Sequence, residues 1–275
     1  MMWKGKVVMI TGGASGIGRA FALKLSRQGS YVNILDINEE AGARTALDCG
    51  ENATFYKLDV RDVKAYRNLV NLIIKTSGSI DVLFNNAGIG IAGEAQEIDE
   101  TLWNRIIDIN IKGTLNGINL IYPIMVKRKK GVIVNTASLA GLGPLPLMAP
   151  YSMTKHAIVG LSNSLRLEAK LYGIQVNTLC PAAIETDILK AKNPNDLPPV
   201  AWLPDSVRYL SSLAGKPYDL NRFVNEALKE IEADKGVIVL PQRAKIGVLI
   251  GRWFPWLAEK SIFKAMELER SFKQE

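Results

Sequence analysis

Lys6-Val-Val-Met-Ile-Thr11-Gly12-Gly-Ala-Ser15-Gly16-Ile17-Gly18-Arg19-Ala-Phe-Ala-Leu-Lys-Leu-Ser26 passes from a β-branched apolar run, through four glycines, into helical periodicity. The run over 6–11 predicts a buried strand, and the pattern after Gly18 predicts a helix. A strand, a glycine turn and a helix N-terminus in that order form an anion site. Glycine lets backbone N–H groups approach a pyrophosphate, and the helix dipole favours its charge. The spacing is neither G-x-G-x-x-G nor a triphosphate loop, which would end in Lys-Ser/Thr.

The next stretches give that anion a chemistry. Tyr31-Val-Asn-Ile-Leu-Asp36 reads as a second strand ending in an acid, at the distance where a carboxylate bonds an adenosine ribose. Such a carboxylate repels a 2′-phosphate, and neither Ser15 nor Ile37 is basic, so NAD is favoured over NADP. Arg19 is the cation near the loop, and Asn38 can cap the following helix in place of Asp36. Further on, Tyr151-Ser-Met-Thr-Lys155 places a phenol and an ammonium on one helix face, with Ser138 upstream. A neighbouring cation favours the phenolate, so Lys155 is expected to draw the Tyr151 pKa down towards working pH.

Taken in register, these motifs resemble the short-chain dehydrogenase/reductase family over residues 5–186. Thr11, Gly12, Gly16 and Gly18 match its T-G-x-x-x-G-x-G turn, with Ser15 and Ile17 inside it. Asp59-Val60 matches its adenine-contacting pair, and Asn85-Asn86-Ala87-Gly88 its N-N-A-G strand end. Asn110, Ser138, Tyr151 and Lys155 match the catalytic tetrad. Pro181, Ile184 and Thr186 match the segment that receives the nicotinamide, where this chain has Ala182 in place of the usual Gly. The resemblance implies hydride transfer between a secondary alcohol or ketone and NAD, with Tyr151 as general base or acid and Ser138 orienting the substrate oxygen. It implies that Lys155 bonds the nicotinamide ribose and that Asn110 anchors a water leading to solvent. Asn110 could instead stabilise a break in a long helix over about 101–129. The rivals are a non-catalytic NAD-binding, redox-sensing regulator, free to lose the tetrad, and an isomerase or dehydratase using the same Tyr–Lys pair.

Composition sets outer limits. The 275 residues, 48% hydrophobic and 22% charged, suit one α/β domain with a large core. Cys49 and Cys180 lack metal spacing and read as reduced thiols of a cytoplasmic protein. The start of the chain enters the first strand at once, which is read as leaving no room for a signal peptide. No apolar stretch reaches the length of a membrane span. The net charge is +7, and its densest run, Lys127-Arg-Lys-Lys130, fits a helix C-terminus stopped by Gly131 better than a nucleic-acid surface. His156, next to Lys155, points to another helix face and is read as structural.

Strands near 6–11, 31–36, 54–59, 80–86, 132–138, 174–180 and 236–240 alternate with helices, the pattern of a doubly wound Rossmann-type parallel sheet. The resemblance implies the order 3-2-1-4-5-6-7 and a homodimer or homotetramer. Residues 1–240 would form the catalytic unit. Within it, 186–219 would cover the substrate, with Trp202 and its Leu and Val neighbours either roofing the site or packing on the core. The stripe Leu220, Phe223, Val224, Ala227, Leu228 and Ile231 is core packing. Residues 241–275 read as a helical extension, with Ile246, Leu249, Ile250, Trp253, Phe254 and Leu257 at helical spacing and Pro255 interrupting. This extension is a lid over an apolar pocket, an oligomer contact, or a peripheral membrane-surface helix. Similar tails occur in relatives acting on lipid- or steroid-like carbonyls, so an apolar, lipid-, steroid- or terpenoid-like substrate is expected.

Overall fold

The computed structural model describes residues 2–189 and 192–273. Seven strands form one parallel sheet in the expected order, β3-β2-β1-β4-β5-β6-β7. They are β1 (Val7–Thr11), β2 (Tyr31–Asp36), β3 (Ala53–Lys57), β4 (Val82–Asn85), β5 (Gly131–Thr136), β6 (Ile174–Pro181) and β7 (Val237–Leu240). All of β1 and β4 is buried, as a sheet covered on both faces demands.

Two apolar layers account for that burial. On one face Val8, Ile10, Ile34, Phe84, Val134 and Leu179 meet Phe21 and Leu25 of α1 (Gly16–Arg27) and the stripe of α8 (Leu220–Glu232). On the other, Val7, Met9, Leu83, Ile133 and Val176 meet three helices. These are α3 (Val63–Ser77), α5 (Gly113–Arg128) and α6 (Ala149–Lys170). Helix α2 (Glu39–Cys49) starts on Asn38, whose side chain accepts from the Ala41 N–H, so Asp36 is released from capping.

One local expectation needs correction. Helix α5 is stopped by Lys129, in the left-handed region at φ 51°, and not by Gly131, which already opens β5. Gly131 is required there for space, since a Cβ on it would lie 2.3 Å from the Met125 sulfur. The long helix over 101–129 is broken as anticipated: α4 (Glu100–Ile106) runs into a π-helical stretch, Ile107–Lys112, before α5. In the covering region, Leu197 and Val200 pack with Ile91 and Ile98, and Trp202 packs against the buried cluster that includes Leu145, Leu147 and Tyr209, so these residues serve packing. Lys190 and Ala191 lie outside the described residues. Helix α7 (Ser206–Ala214) follows, and beyond β7 come α9 (Ala244–Trp253) and α10 (Pro255–Arg270). Pro255 takes the first position of α10, where its missing N–H costs nothing.

Candidate active site

Parallel strands all present their C-terminal ends to one rim, and the chemistry-bearing residues collect there. The turn after β1 carries Gly12 at φ 65° and Gly16 at φ 48°, backbone that a side chain would strain. Gly18 is required by contact: a Cβ there would sit 2.1 Å from the Gly12 carbonyl oxygen. Behind the turn the buried Thr11 hydroxyl accepts from the Asn86 and Ala87 N–H groups at 3.0 and 3.1 Å and donates to the Phe84 carbonyl. The Asn86 amide reaches back to the Thr11 and Gly12 carbonyls. The first and fourth strand ends are thereby locked together.

Over this rim lies one cavity of about 1020 Å³, at the top of the usual range for small-molecule sites, roughly 300–1,000 Å³. One end is walled by Gly12, Ser15, Gly16, Ile17 and Asp36, and beside them by Asp59 and Val60. Asp36 accepts from the Ala14 and Asn38 N–H groups, both at 3.0 Å. Asp59 is clamped by Arg61, with Nη2 donating at 2.6 Å, and hydrogen bonding to Arg61 holds its carboxyl below the usual range. Arg19 is turned away onto Asp48 at 2.8 Å. The middle is walled by Asn86, Ala87, Gly88, Pro181, Ile184 and Thr186.

Ser138, Tyr151 and Lys155 line the same cavity. Ser138 follows β5, and its oxygen accepts from the Ala140 N–H at 3.2 Å. Tyr151 and Lys155 share a face of α6, with the ammonium 5.4 Å from the phenol ring centre. Lys155 is buried and donates to the Thr136 carbonyl at 2.9 Å. The expected downward pull on Tyr151 is not what this arrangement gives. Burial pushes the phenol up, and the Ser138 hydroxyl brings it part-way back. Lys155 is itself lowered to about 8 by burial. A desolvated lysine already committed to a carbonyl acceptor is a weak acidifier of its neighbour.

Asn110 stands one layer behind the cavity, in the π-helical stretch. Its Oδ1 accepts from the Ile89 N–H at 2.9 Å, and its Nδ2 donates to the Ile89 carbonyl and the Thr154 hydroxyl at 3.0 Å each. It therefore pins the loop after β4 to α6, one residue from Lys155. The exposed His156 turns its Nδ1 to the Ser152 carbonyl at 2.9 Å.

The far end of the cavity contains residues that motif reading passed over. Leu142, Leu145 and Met148 come from the loop between Ser138 and Tyr151, and Leu210 and Leu213 from α7. The run Leu142-Gly-Pro-Leu-Pro-Leu-Met148, apolar yet turn-rich, was the available signal. Val248, Gly251 and Ile262 of α9 and α10 complete the wall. Polar ties hold it down. Buried Glu269 accepts from the Asp205 N–H at 2.7 Å and from Arg208 at 2.7 and 2.8 Å, while Arg270 and Lys273 pair with Glu94 at 2.6 and 2.9 Å.

Known proteins agree with this layout. The short chain dehydrogenase profile matches residues 6–197. A 2,5-dichloro-2,5-cyclohexadiene-1,4-diol dehydrogenase from Sphingobium indicum is 37% identical over 194 residues, 70% of this chain and 78% of that protein. An uncharacterised oxidoreductase of Thermotoga maritima is 37% identical over 72% of this chain and 81% of its own. Among solved structures, a short chain dehydrogenase/reductase from Burkholderia phymatum in complex with NAD superposes with a TM-score of 0.85 at 28% identity, covering 94% of this chain and 96% of that one. A 3-ketoacyl-(acyl-carrier-protein) reductase from Brucella melitensis complexed with NADH gives 0.76 at 26% identity, covering 88% and 99%. The matched profile spans the glycine turn, Asn110, Ser138, Tyr151 and Lys155 and the first six strands of the sheet, and the chain belongs to the short-chain dehydrogenase/reductase family of oxidoreductases.

Proposed function

We propose that this protein is an NAD-dependent dehydrogenase/reductase acting on an apolar secondary alcohol or its ketone. The observation that carries the reading is the convergence of Ser138, Tyr151 and Lys155 on one cavity whose other end holds the glycine turn and Asp36. The residues fit a nicotinamide dinucleotide. Gly12, Ser15, Gly16 and Ile17 would hold the pyrophosphate beside the start of α1, with Thr11 and Gly18 keeping that turn in shape. Asp36 would accept from the adenosine ribose, Asp59 and Val60 would flank the adenine, and Asn86, Ala87 and Gly88 would carry the chain beneath the sugars. A Cβ on Gly88 would lie 3.1 Å from Asn110 Oδ1 and 3.6 Å from Lys155 Nζ, so its bareness leaves room for a ribose against the ammonium. Pro181, Ile184 and Thr186 would receive the nicotinamide. When bound, that cofactor supplies the hydride donor or acceptor, and in its oxidised form a positive charge that favours the Tyr151 phenolate.

The chain's own residues move the proton. Tyr151 Oη takes it from the substrate hydroxyl in oxidation and returns it in reduction. Ser138 Oγ donates to the substrate oxygen where negative charge develops. Asn110 positions the 86–89 loop and α6 around Lys155. NADP is disfavoured because Asp36 faces the ribose position while Arg61 and Arg19 are both committed to carboxylates. The substrate end, walled by Leu142, Leu145, Met148, Leu213 and Val248, selects an apolar body.

The deciding assay is NADH formation with a panel of secondary alcohols, from small polyols to sterols and hydroxy-lipids. Tight NAD binding without turnover in either direction would install the regulator reading. Asp36→Ala is expected to raise the KM for NAD by about 10–100-fold, the worth of lost hydrogen bonds to a charged acceptor, and to lower that for NADP. Unchanged selectivity would take Asp36 out of the ribose site.

Lys155 makes a second, separable prediction. At pH below about 8 both folded and unfolded chains hold its proton, and the folded protein bears the whole cost of the buried charge. Between there and the unfolded value of about 10.4 the folded chain binds fewer protons, so stability from this group rises with pH. Lys155→Met should therefore raise the unfolding stability of the cofactor-free protein at pH 7 by about 1–3 kcal/mol while abolishing turnover. A lowered melting temperature in scanning calorimetry would show that its bond to Thr136 outweighs desolvation.

A further inference from the structure

The extension has a second face that the active site does not use. Ile246, Leu249 and Trp253 of α9 fall at i, i+3 and i+7 and point outward: Ile246 is 63%, Leu249 56% and Trp253 68% exposed, while Ile250 between them is 41% exposed and also borders the cavity. At the junction with α10, Phe254 and Trp256 stack edge to face at 5.6 Å, and Trp256 is 61% exposed. A continuous apolar stripe of this size on a single helix and its following turn calls for a partner. Charge identifies which. From Lys235 to Ala258 the sequence holds Lys235, Arg243, Lys245 and Arg252 and no acid. Lys260 and Lys264 follow on α10, where Glu259 and the exposed Glu267 are the nearby acids. Among the described residues, Lys245, Arg252, Lys260 and Lys264 form no ion pair, and all but the half-buried Lys245 are exposed.

We infer that the outward α9 residues Ile246, Leu249 and Trp253 and the 254–256 turn form a docking surface for an anionic lipid bilayer, with the extension lying in the interface plane. Apolar side chains flanked by free cations, with tryptophans at the boundary, are what such an interface recognises. Among the described residues, no helix is long and apolar enough to cross a membrane, so contact is by one face. A second copy of the chain fits less well, because a two-fold contact sets one cationic rim against the other. The opposite side of the same helices walls the cavity through Gly247, Val248, Gly251 and Ile262.

The test is flotation of the full-length protein with vesicles of phosphatidylcholine alone or mixed with phosphatidylglycerol, read together with tryptophan emission. Flotation with the anionic vesicles, a blue shift from Trp253 and Trp256, and loss of both in high salt are expected. Arg252→Gln with Lys260→Gln should weaken partitioning by about 30-fold, and Leu249→Glu with Trp253→Glu should end it. The melting temperature of each variant should stay unchanged, since these side chains are exposed. Failure to float, or equal binding to neutral vesicles, overturns the proposal. So does a dimer in light scattering that Leu249→Glu with Trp253→Glu dissociates, which would give the face to a second copy. None of these readouts depends on turnover, so they stand apart from the proposed reaction.

Discussion

Replacing Tyr151 by Phe should lower kcat by about 10²–10⁴ in both directions, the usual worth of a positioned acid–base group, while leaving NAD affinity unchanged. The substitution removes one oxygen. The ring, packed against the buried cluster that includes Ala140, Leu145 and Met148, remains, and no backbone of the glycine turn is disturbed, so the loss will fall on the chemical step. A pH profile sharpens the result. Oxidation needs the phenolate, and burial pushes the Tyr151 pKa up, so wild-type kcat/KM for alcohol oxidation should climb on the alkaline side and reduction should decline there. The residual rate of Tyr151→Phe should lack that dependence. A variant within tenfold of wild type would move proton transfer to another group and leave Tyr151 a packing residue.

Gly18→Ala should be a severely damaging change in the glycine turn. The added methyl would lie 2.1 Å from the Gly12 oxygen and 2.6 Å from Asn86 Nδ2. The first is backbone and cannot rotate away, so the turn itself has to move. Overpacking of this kind costs about 1–3 kcal/mol or more, expected as at least a tenfold loss of NAD affinity by titration and a lower melting temperature. Gly16→Ala provides the contrast. Its φ of 48° is left-handed, but the nearest atoms to the new methyl are in the Thr186 side chain at 3.5 Å. Only backbone strain of about 1–2 kcal/mol applies there. Equal effects of the two changes would mean that conformation, and not contact, governs the turn.

The contrast between these glycines shows which parts of the fold were legible in the sequence. Period and punctuation located all seven strands and the 6–26 unit, because the central strands are largely apolar and glycine marks the turns. The residues of the glycine turn and of the Tyr–Lys pair were legible because their spacing is local. Proton energetics were not. That Lys155 is buried and spends a hydrogen bond on Thr136 depends on strand β5, which no i, i+4 rule contains. The wall of Leu142, Leu210 and Val248 was equally hidden, since it joins loops and helices far apart in sequence with no period in common. The stop at Lys129 defied propensity: left-handed backbone is rare for lysine, while Gly131 was reserved for space beneath Met125.

The order of the elements also bears on biosynthesis. The wall formed by α9 and α10 is translated after every strand of the sheet, and the ties from Glu269 to Arg208 and from Lys273 to Glu94 come later still. Folding of a nascent chain proceeds from its N-terminal side. The end of the cavity around the glycine turn can therefore take shape while the ribosome still holds the extension, leaving the Leu142–Met148 end as an open apolar trough.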